Sequence, residues 1–200
     1  MKKYHFIFDK GKKSQKIKRN LLNKFYNFTP KKSDVIVVLG GDGFMLHVLK
    51  KYQKYNKPFY GINTGTFGFL MNKNNNQNLN KTILKSKLVT ISALQMKAVT
   101  KNGKSFSGIA INEVSLLRQT RQTASLQISN KRKILIKKLV CDGILVSTPA
   151  GSTAYNLSVS GPILSLNSKR LAVTPISPFR PRRWKGKIVP ISSVIKIKNL

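Results

Sequence analysis

The residues of this chain best suited to chemistry form a Gly-Gly-Asp-Gly segment, residues 40–43, directly after the apolar run Val35–Leu39. An uninterrupted run rich in Val predicts a strand buried on both faces. The glycines allow a sharp turn and a close approach of the backbone to a ligand. A helix that begins at Gly43 or Phe44 would aim free N–H groups at this turn, which suits a phosphate. Asp42 is then either the N-cap of an ordinary βα turn or a carboxylate that handles a proton or a metal.

Three further segments place polar residues among glycines or at predicted strand ends. They are Asn63–Leu70, the pair Asn112 and Glu113, and Asp142–Tyr155. An Asn-Glu pair can exchange hydrogen bonds with a ribose or an adenine edge, or it is an ordinary strand terminus. The last segment is dense in small hydroxyl residues, which suit a nucleoside or phosphate or form a Ser/Thr-rich turn. No G-x-S-x-G elbow surrounds its serines, so hydrolase chemistry is not indicated.

Acidic residues are rare in this chain, and their positions are informative. There are five Asp and Glu against 38 Lys and Arg, for a formal net charge of +33. Three of the five, Asp42, Glu113 and Asp142, lie beside Gly or Asn. The basic balance favours either solvated surface lysines or a polyanion partner. Because no basic motif interleaved with aromatic residues stands out, a nucleic-acid-binding module is kept only as an alternative, and no specific nucleic acid is expected.

Several functional classes are excluded by composition. The single Cys141 excludes a disulfide framework and a multi-cysteine metal site. Two histidines and five dispersed acids do not predict a metal cage made by the protein. No stretch approaches the roughly 20 apolar residues that cross a membrane. A cytoplasmic location without membrane contact is therefore expected.

The elements that position these residues begin with an α/β pattern. Apolar spacing predicts strands at residues 3–8, 34–39 and 58–62, and helices at residues 14–28 and directly after the glycine turn. This order predicts a Rossmann-like parallel sheet with helices on its faces. Ligands in such sheets bind outside the carboxyl ends of the strands. A polar loop at residues 73–80 and a short helix at residues 78–86 should follow.

The character of the chain changes near residue 89. Short β-prone runs follow one another, with a type I′ hairpin predicted at Lys101–Lys104 and a second hairpin at Asn130–Arg132. We predict two domains: residues 1–89 form an α/β nucleotide-binding domain, and residues 90–200 form a β-rich, sandwich-like domain.

Taken in order, the four motifs resemble those of bacterial NAD kinases, and the resemblance runs from about Asp34 to Pro190. The Gly-Gly-Asp-Gly segment is shared with diacylglycerol-type lipid kinases, so a lipid kinase is the alternative enzyme. The run Thr148–Tyr155 (Thr-Pro-Ala-Gly-Ser-Thr-Ala-Tyr) after an Asn-Glu pair is specific to NAD kinases. Ile176–Trp184 resembles the form found in alphaproteobacterial members.

The resemblance implies a reaction in which ATP phosphorylates the 2′-hydroxyl of the adenosine ribose of NAD, giving NADP. Asp42 would be the catalytic general base, and Gly40, Gly41 and Gly43 would contact phosphates. Mg²⁺ would arrive with ATP. The resemblance further implies a homo-oligomer, a dimer or a tetramer.

NAD binding is assigned by the resemblance to residues in all four motifs: Asp42, Gly43, Phe69, Asn112, Glu113, Asp142, Thr153, Ala154, Tyr155 and Ser158. Phe69 matches an aromatic residue at the adenine pocket. Asp142 matches an acid near the nicotinamide ribose or amide, supplied within one subunit or across an interface. The chain departs from the commoner Ser-Ala-Gly-Gly-Pro form at Ser158–Pro162. Relatives usually continue beyond Leu200, so the second domain is expected to be either naturally short or truncated.

Overall fold

A computed structural model describes residues 2–66, 68–74 and 78–200. The chain divides into two compact units, Met1–Leu88 and Val89–Leu200. Phe67, in one predicted motif, and residues 75–77, in the predicted polar loop, lie outside the described residues. No helix among the described residues combines the length and the apolar character needed to cross a membrane.

The first unit is a three-stranded parallel sheet with helices. Its strand order is β1-β2-β3. Its elements are β1 (Tyr4–Phe8), α1 (Lys12–Lys24), β2 (Val35–Gly40), α2 (Asp42–Tyr52), a 3₁₀ turn (Gln53–Tyr55), β3 (Phe59–Asn63) and α3 (Leu79–Lys85).

The central strand β2 is buried on both faces, as its composition predicts. Val37 and Leu39 belong to one apolar cluster, which includes Tyr4. Ile36 and Val38 belong to a second cluster on the opposite face. Because side chains alternate along a strand, one continuous apolar run supplies both layers.

Helix α1 ends earlier than its apolar spacing predicts. The expected helix at residues 14–28 is instead Lys12–Lys24, and Phe25 is already extended. Asn27 forms a parallel bridge with Tyr4, and its Oδ1 accepts the backbone N–H of Phe6 at 2.9 Å. The edge of β1 therefore captures the segment that would otherwise have continued the helix.

The second unit is built from antiparallel strands. Four strands pair in the order β11-β10-β9-β6, three pair as β12-β7-β8, and β4 pairs with β5. Its elements are β4 (Leu94–Val99), β5 (Ser105–Ala110), β6 (Glu113–Leu117), β7 (Ala124–Asn130), β8 (Lys133–Cys141), β9 (Gly143–Ser147), a 3₁₀ turn (Ala150–Thr153), α4 (Tyr155–Ser158), β10 (Arg170–Ile176), β11 (Lys187–Pro190) and β12 (Ile195–Asn199).

One apolar core lies between the two larger sheets of this unit. Leu126 and Leu139 from the three-stranded sheet pack in the same cluster as Ile144 and Val173 from the four-stranded sheet. Two sheets that share one core form a sandwich. The predicted fold class, an α/β domain followed by a β-rich sandwich-like domain, is confirmed.

The first hairpin of this unit has a different turn from the predicted type I′. Val99 pairs with Ser105, the Gly103 N–H donates to the Thr100 carbonyl, and only Gly103 in the loop has a positive φ, +79°. A type I′ turn needs two central residues with positive φ. The Thr100 N–H also donates to the Lys104 carbonyl at 2.9 Å, so the loop within that pair has three residues. The prediction is wrong because this loop ends on one left-handed glycine, Gly103.

Candidate active site

The carboxyl ends of the first unit's strands bring two of the predicted motifs together. Gly40, at the end of β2, pairs with Asn63, at the end of β3. Helix α2 begins at once, with Gly41 as its N-cap and Asp42 in its first turn. The first backbone N–H groups of a helix have no partner within the helix. Unpaired backbone N–H groups therefore lie where the sequence predicts an anion-binding edge.

Asp42 does not cap the helix, so the interpretation of an ordinary N-cap is wrong. Its Oδ2 accepts the backbone N–H of Phe69 at 2.7 Å, and its Oδ1 accepts that of Leu70 at 3.0 Å. Each oxygen keeps a second lone pair for another donor. Two fixed donors therefore orient a carboxylate whose remaining acceptor positions are not used by these contacts.

The segment that holds Asp42 requires a glycine for packing. A Cβ at Gly68 would lie 3.1 Å from Asp42 Oδ1 and 3.2 Å from Asn63 Nδ2. The side chain of Phe69 is 61% exposed. The backbone at residues 68–70 thus serves the carboxylate, while the Phe69 ring is available to a ligand.

The three glycines of the Gly-Gly-Asp-Gly segment have different surroundings. A Cβ at Gly40 would lie 2.7 Å from Phe44 Cδ1 and 3.0 Å from Asp9 Oδ2, so internal packing requires this glycine. A Cβ at Gly41 or Gly43 would meet no atom of the described residues within 4 Å. Open space beside these two glycines is what a close approach by phosphate requires.

In the second unit, Asn112 and Glu113 lie at a strand terminus, where β5 ends at Ala110 and β6 begins at Glu113. Glu113 is the first residue of β6 and pairs with Ser147 of β9. The Asn112 carbonyl accepts the Thr148 N–H at 2.8 Å, and a Cβ at Gly151 would come within 2.6 Å of Asn112 Cα. The Asn-Glu pair and the run Thr148–Tyr155 are therefore in direct contact.

Two buried acceptors in this pair have no partner among the described residues. They are Asn112 Oδ1 and Glu113 Oε2. Burial raises the pKa of the Glu113 carboxyl above its usual range. Buried polar atoms are normally hydrogen-bonded, so these two have acceptor capacity for a ligand that brings O–H or N–H donors.

The hydroxyl-rich run is mostly structural at its start and available at its end. Ser147 Oγ donates to the Thr148 carbonyl at 3.0 Å, and Ser152 Oγ donates to the Pro149 carbonyl at 2.7 Å. Both serines are fully buried, which agrees with the absence of a nucleophile motif. Beyond them Thr153, Ala154, Tyr155 and Ser158 are exposed or half-buried, as are Leu157, Val159 and Ser160.

The side chain of Asn156 forms hydrogen bonds that hold this run in place, although no motif in the sequence indicated this residue. It is fully buried and donates to the carbonyls of Ser152, at 3.2 Å, and Pro162, at 2.9 Å. Its Oδ1 accepts the hydroxyl of Thr174 in β10 at 2.7 Å. This network ties the segment that carries Tyr155 to the four-stranded sheet.

Ser160 lies in the left-handed region, with φ of 61°. Glycine adopts this conformation without strain, whereas a side chain is disfavoured. Serine at this position therefore holds a conformation that glycine would adopt without strain.

Asp142 lies away from the Asn-Glu pair. It sits between β8 and β9, where Gly143 pairs with Leu117, whereas Glu113 pairs with Ser147 at the other end of the same ladder. The two ends are four residue steps apart, roughly 13 Å. The structure thus places Glu113 beside Thr148–Tyr155 and Asp142 at the opposite end of β9.

Metal-ligating residues are dispersed. Within residues 2–66, 68–74 and 78–200, no three His, Cys, Asp or Glu residues are grouped as a metal site.

The family models of two domains, both from ATP-NAD kinases, match this chain. The ATP-NAD kinase N-terminal domain matches residues 2–87, and the ATP-NAD kinase C-terminal domain matches residues 111–200.

Curated relatives match along most of the chain. The NAD kinase of Zymomonas mobilis is 52% identical over 180 residues, which are 88% of this chain and 70% of the relative. The NAD kinase of Brucella suis is 46% identical over 196 residues, which are 98% of this chain and 76% of the relative.

Two solved structures share the fold. Yeast NADH kinase complexed with NADH superposes with a TM-score of 0.78 at 22% identity, covering 100% of this chain and 68% of that one. An NAD kinase from Archaeoglobus fulgidus in complex with ATP gives 0.73 at 23% identity, covering 98% and 80%.

Proposed function

Since this chain belongs to the ATP-NAD kinase family, we propose that it phosphorylates NAD with ATP at the 2′-hydroxyl of the adenosine ribose. The ribose oxygen forms a bond to the γ-phosphorus, and the bond from that phosphorus to the β,γ-bridging oxygen breaks. NADP and ADP are the products, and the hydroxyl proton passes to a base. The observation that carries the proposal is the Asp42 carboxylate, held at a helix N-terminus by two backbone donors.

Asp42 is the proposed base. A carboxylate at an anion-binding edge would repel phosphate, but it is useful if it accepts the proton of the attacking hydroxyl. Its bonds to the Phe69 and Leu70 N–H groups fix the direction of its free lone pairs. Positioning of this kind supplies much of the acceleration available to phosphoryl transfer.

The phosphates of ATP are proposed to lie against the first turn of α2. Gly41 and Gly43 have open space beside them, and the helix terminus offers unpaired N–H groups. Gly40 adjoins this turn and is included as a phosphate contact. The divalent cation, Mg²⁺, is proposed to enter with ATP as part of the substrate, bridging phosphate oxygens.

The proposal also assigns the residues that bind NAD. In the second unit, Asn112 and Glu113 accept hydrogen bonds from the ribose or adenine with their buried, unpartnered oxygens. The proposed NAD contacts in full are Asp42, Gly43, Phe69, Asn112, Glu113, Asp142, Thr153, Ala154, Tyr155 and Ser158. The same proposal includes the domain assignment, with residues 1–89 for nucleotide binding and residues 90–200 for NAD. It also includes a cytoplasmic location and a homo-oligomer, either a dimer or a tetramer.

The direct test is a product assay. Purified protein with NAD, ATP and Mg²⁺ is expected to form NADP, measured with an NADP-specific dehydrogenase. Omission of ATP is the blank, and diacylglycerol in place of NAD tests the lipid kinase alternative. Phosphorylated lipid without NADP would overturn the proposal.

Replacing Gly43 by alanine should separate phosphate binding from folding. Among the residues that the structure describes, no atom lies within 4 Å of the added Cβ, and alanine favours a helix by up to about 1 kcal/mol over glycine. We expect unchanged or higher thermal stability but a loss of at least about tenfold in kcat/KM for ATP, because the methyl group occupies phosphate space. His47→Ala, on the exposed face of the same helix, is the control and should keep full activity. A fully active Gly43→Ala enzyme would contradict the phosphate assignment.

Replacing Glu113 by glutamine should stabilise the free protein and weaken NAD binding. Because the pKa of Glu113 is raised by burial from its ordinary 4.5, the folded state holds this proton more tightly than the unfolded state. The contribution of Glu113 to stability therefore falls as pH rises from the ordinary pKa through the raised one, and the full penalty is present above it. Glutamine removes that penalty.

Thermal unfolding at pH 5 and pH 8 measures this effect, with the other four acids common to both proteins. The variant should gain more stability at pH 8 than at pH 5. Calorimetry should show NAD binding weakened about tenfold, since a hydrogen bond to a charged group contributes about 1.5–3 kcal/mol. An equal stability change at both pH values would argue against the buried-carboxylate account.

A further inference from the structure

Asp142 takes part in an ion pair that the motifs do not include. Arg118 Nε lies 2.6 Å from Asp142 Oδ1, and this is the one acid–base pair within 4.0 Å recorded in the described part of the chain. The sequence has 38 basic residues and five acids, and Asp142 is the acid that this pair engages.

The guanidinium of Arg118 has two contacts: its Nε donates to Asp142 Oδ1, and its Nη1 donates to the Thr120 carbonyl, both at 2.6 Å. The backbone N–H of Arg118 also donates to the Asp142 carbonyl at 2.9 Å. Arg118 directly follows β6, next to the strand pair that ends at Gly143. The planar fork of Arg therefore spans two anchors, which a flexible ammonium group does not reproduce.

The backbone of Asp142 is held as well. Its N–H donates to the Ile176 carbonyl of β10 at 3.0 Å. With the backbone pinned and Oδ1 bound to Arg118, rotation of the carboxylate is restricted. The recorded bonds to this carboxylate use Oδ1 alone, so Oδ2 keeps its acceptor capacity in a side chain that is 36% exposed.

We propose that Arg118 is a positioning residue for NAD, which orients Asp142 so that Oδ2 accepts a hydrogen bond from the nicotinamide ribose or carboxamide. The inference rests on the proposed function, since it deepens the role given to Asp142. The bond from Arg118 fixes Oδ1 of the carboxylate and leaves Oδ2 for a neutral donor of the ribose or carboxamide.

Measurements of stability and of KM separate the proposed positioning role from a merely structural one. Arg118 and Asp142 are each about one third exposed, and exposed pairs contribute little to stability. Arg118→Gln should therefore shift Tm by less than about 4 °C. Its KM for NAD should rise about tenfold, while kcat and the KM for ATP change less than about twofold, the pattern of lost uniform binding.

The test is a double-mutant cycle with the full chain, comprising wild type, Arg118→Gln, Asp142→Asn and the double variant. If Arg118 acts through Asp142, the double variant should bind NAD no more weakly than Asp142→Asn alone. Arg118→Lys should recover part of the affinity. Arg121→Gln, an exposed arginine in the same connection, is the matched control and should resemble wild type.

Calorimetry with NAD is run beside the kinetic assay, so the two proposals can fail separately. A wild-type protein that binds NAD without forming NADP would overturn the proposed function, but the NAD affinities of the double-mutant cycle could still be measured. Additive losses in the two single variants would overturn the positioning role. Equal losses in NAD affinity, ATP affinity and Tm for Arg118→Gln would overturn it too, because they would indicate general structural damage.

Discussion

Asp42→Asn is expected to reduce NADP formation by about 10²- to 10⁴-fold, the usual contribution of a positioned general base. Asparagine has nearly the same shape but does not accept the proton of the ribose hydroxyl. Binding of ATP and NAD should persist, because the open space at Gly41 and Gly43 and the buried acceptors of Asn112 and Glu113 are untouched. Steady-state kinetics and calorimetry on the same preparation measure both properties.

The substitution also has a structural cost that must be separated from catalysis. One oxygen of Asp42 becomes an NH₂ group, which faces the N–H of Phe69 or Leu70 without accepting from it. Retained NAD and ATP affinity would show that the segment 68–70 has kept its place. If the variant bound neither NAD nor ATP, the loss of activity would be due to a displaced segment 68–70.

Asp34→Asn is the matched control for this experiment. Asp34 precedes the same strand, β2, at its opposite end, and its Oδ2 accepts the Lys3 N–H at 2.7 Å. The chemical change is identical, yet no role in the reaction is assigned to this residue. Full activity in Asp34→Asn with loss in Asp42→Asn would locate the effect at the α2 terminus. Normal NADP formation by Asp42→Asn would refute the general-base role.

The sequence was sufficient to predict the central strand and its turn, because both depend on local features. A run from Val35 to Leu39 without polar residues has to be buried on both faces, and the glycines that follow it permit the turn. The partner of Asp42 was not predictable in the same way. The carboxylate binds the backbone at residues 69–70, which lies after the next strand, so only the assembled sheet brings the two together.

Two further features depended on tertiary contacts that a local pattern does not contain. Helix α1 ends at Lys24 because the edge of β1 pairs with Asn27, although the apolar spacing continues at Phe25. Asn156 is buried among carbonyls, and its hydrogen-bond partner Thr174 lies 18 residues later. Neither the helix spacing nor a motif carries information on such distant partners.

Gly151→Ala should cause the largest loss of stability of the substitutions considered. The added Cβ would lie within 2.6 Å of Asn112 Cα and closer to its carbonyl group, where no flexible side chain can move aside. Overpacking of this kind costs about 1–3 kcal/mol, and more where backbone has to shift. For a chain of 200 residues, about 3 kcal/mol corresponds to a Tm lower by roughly 6–12 °C.

Function should fall together with stability in this variant, since the same contact joins Asn112 to the run that carries Thr153 and Tyr155. If the backbone at Asn112 moves away from that at Gly151, the buried acceptors of Asn112 and Glu113 move away from the other proposed NAD contacts. NAD affinity should therefore fall by more than about tenfold even where the protein remains folded. Calorimetry well below Tm measures that loss, and differential scanning measures the stability.

Gly108→Ala is the control for the glycine change itself. Gly108 lies in β5 of the same unit, and its Cβ would meet only Met96 Cε, at an ordinary 3.7 Å. That variant should keep wild-type stability and NAD affinity. If Gly151→Ala behaved the same way, the close approach at Gly151 would not be what holds the Asn-Glu pair against Thr148–Tyr155. The β6–β9 ladder and the Thr148 bonds to Ile111 and Asn112 would then hold it.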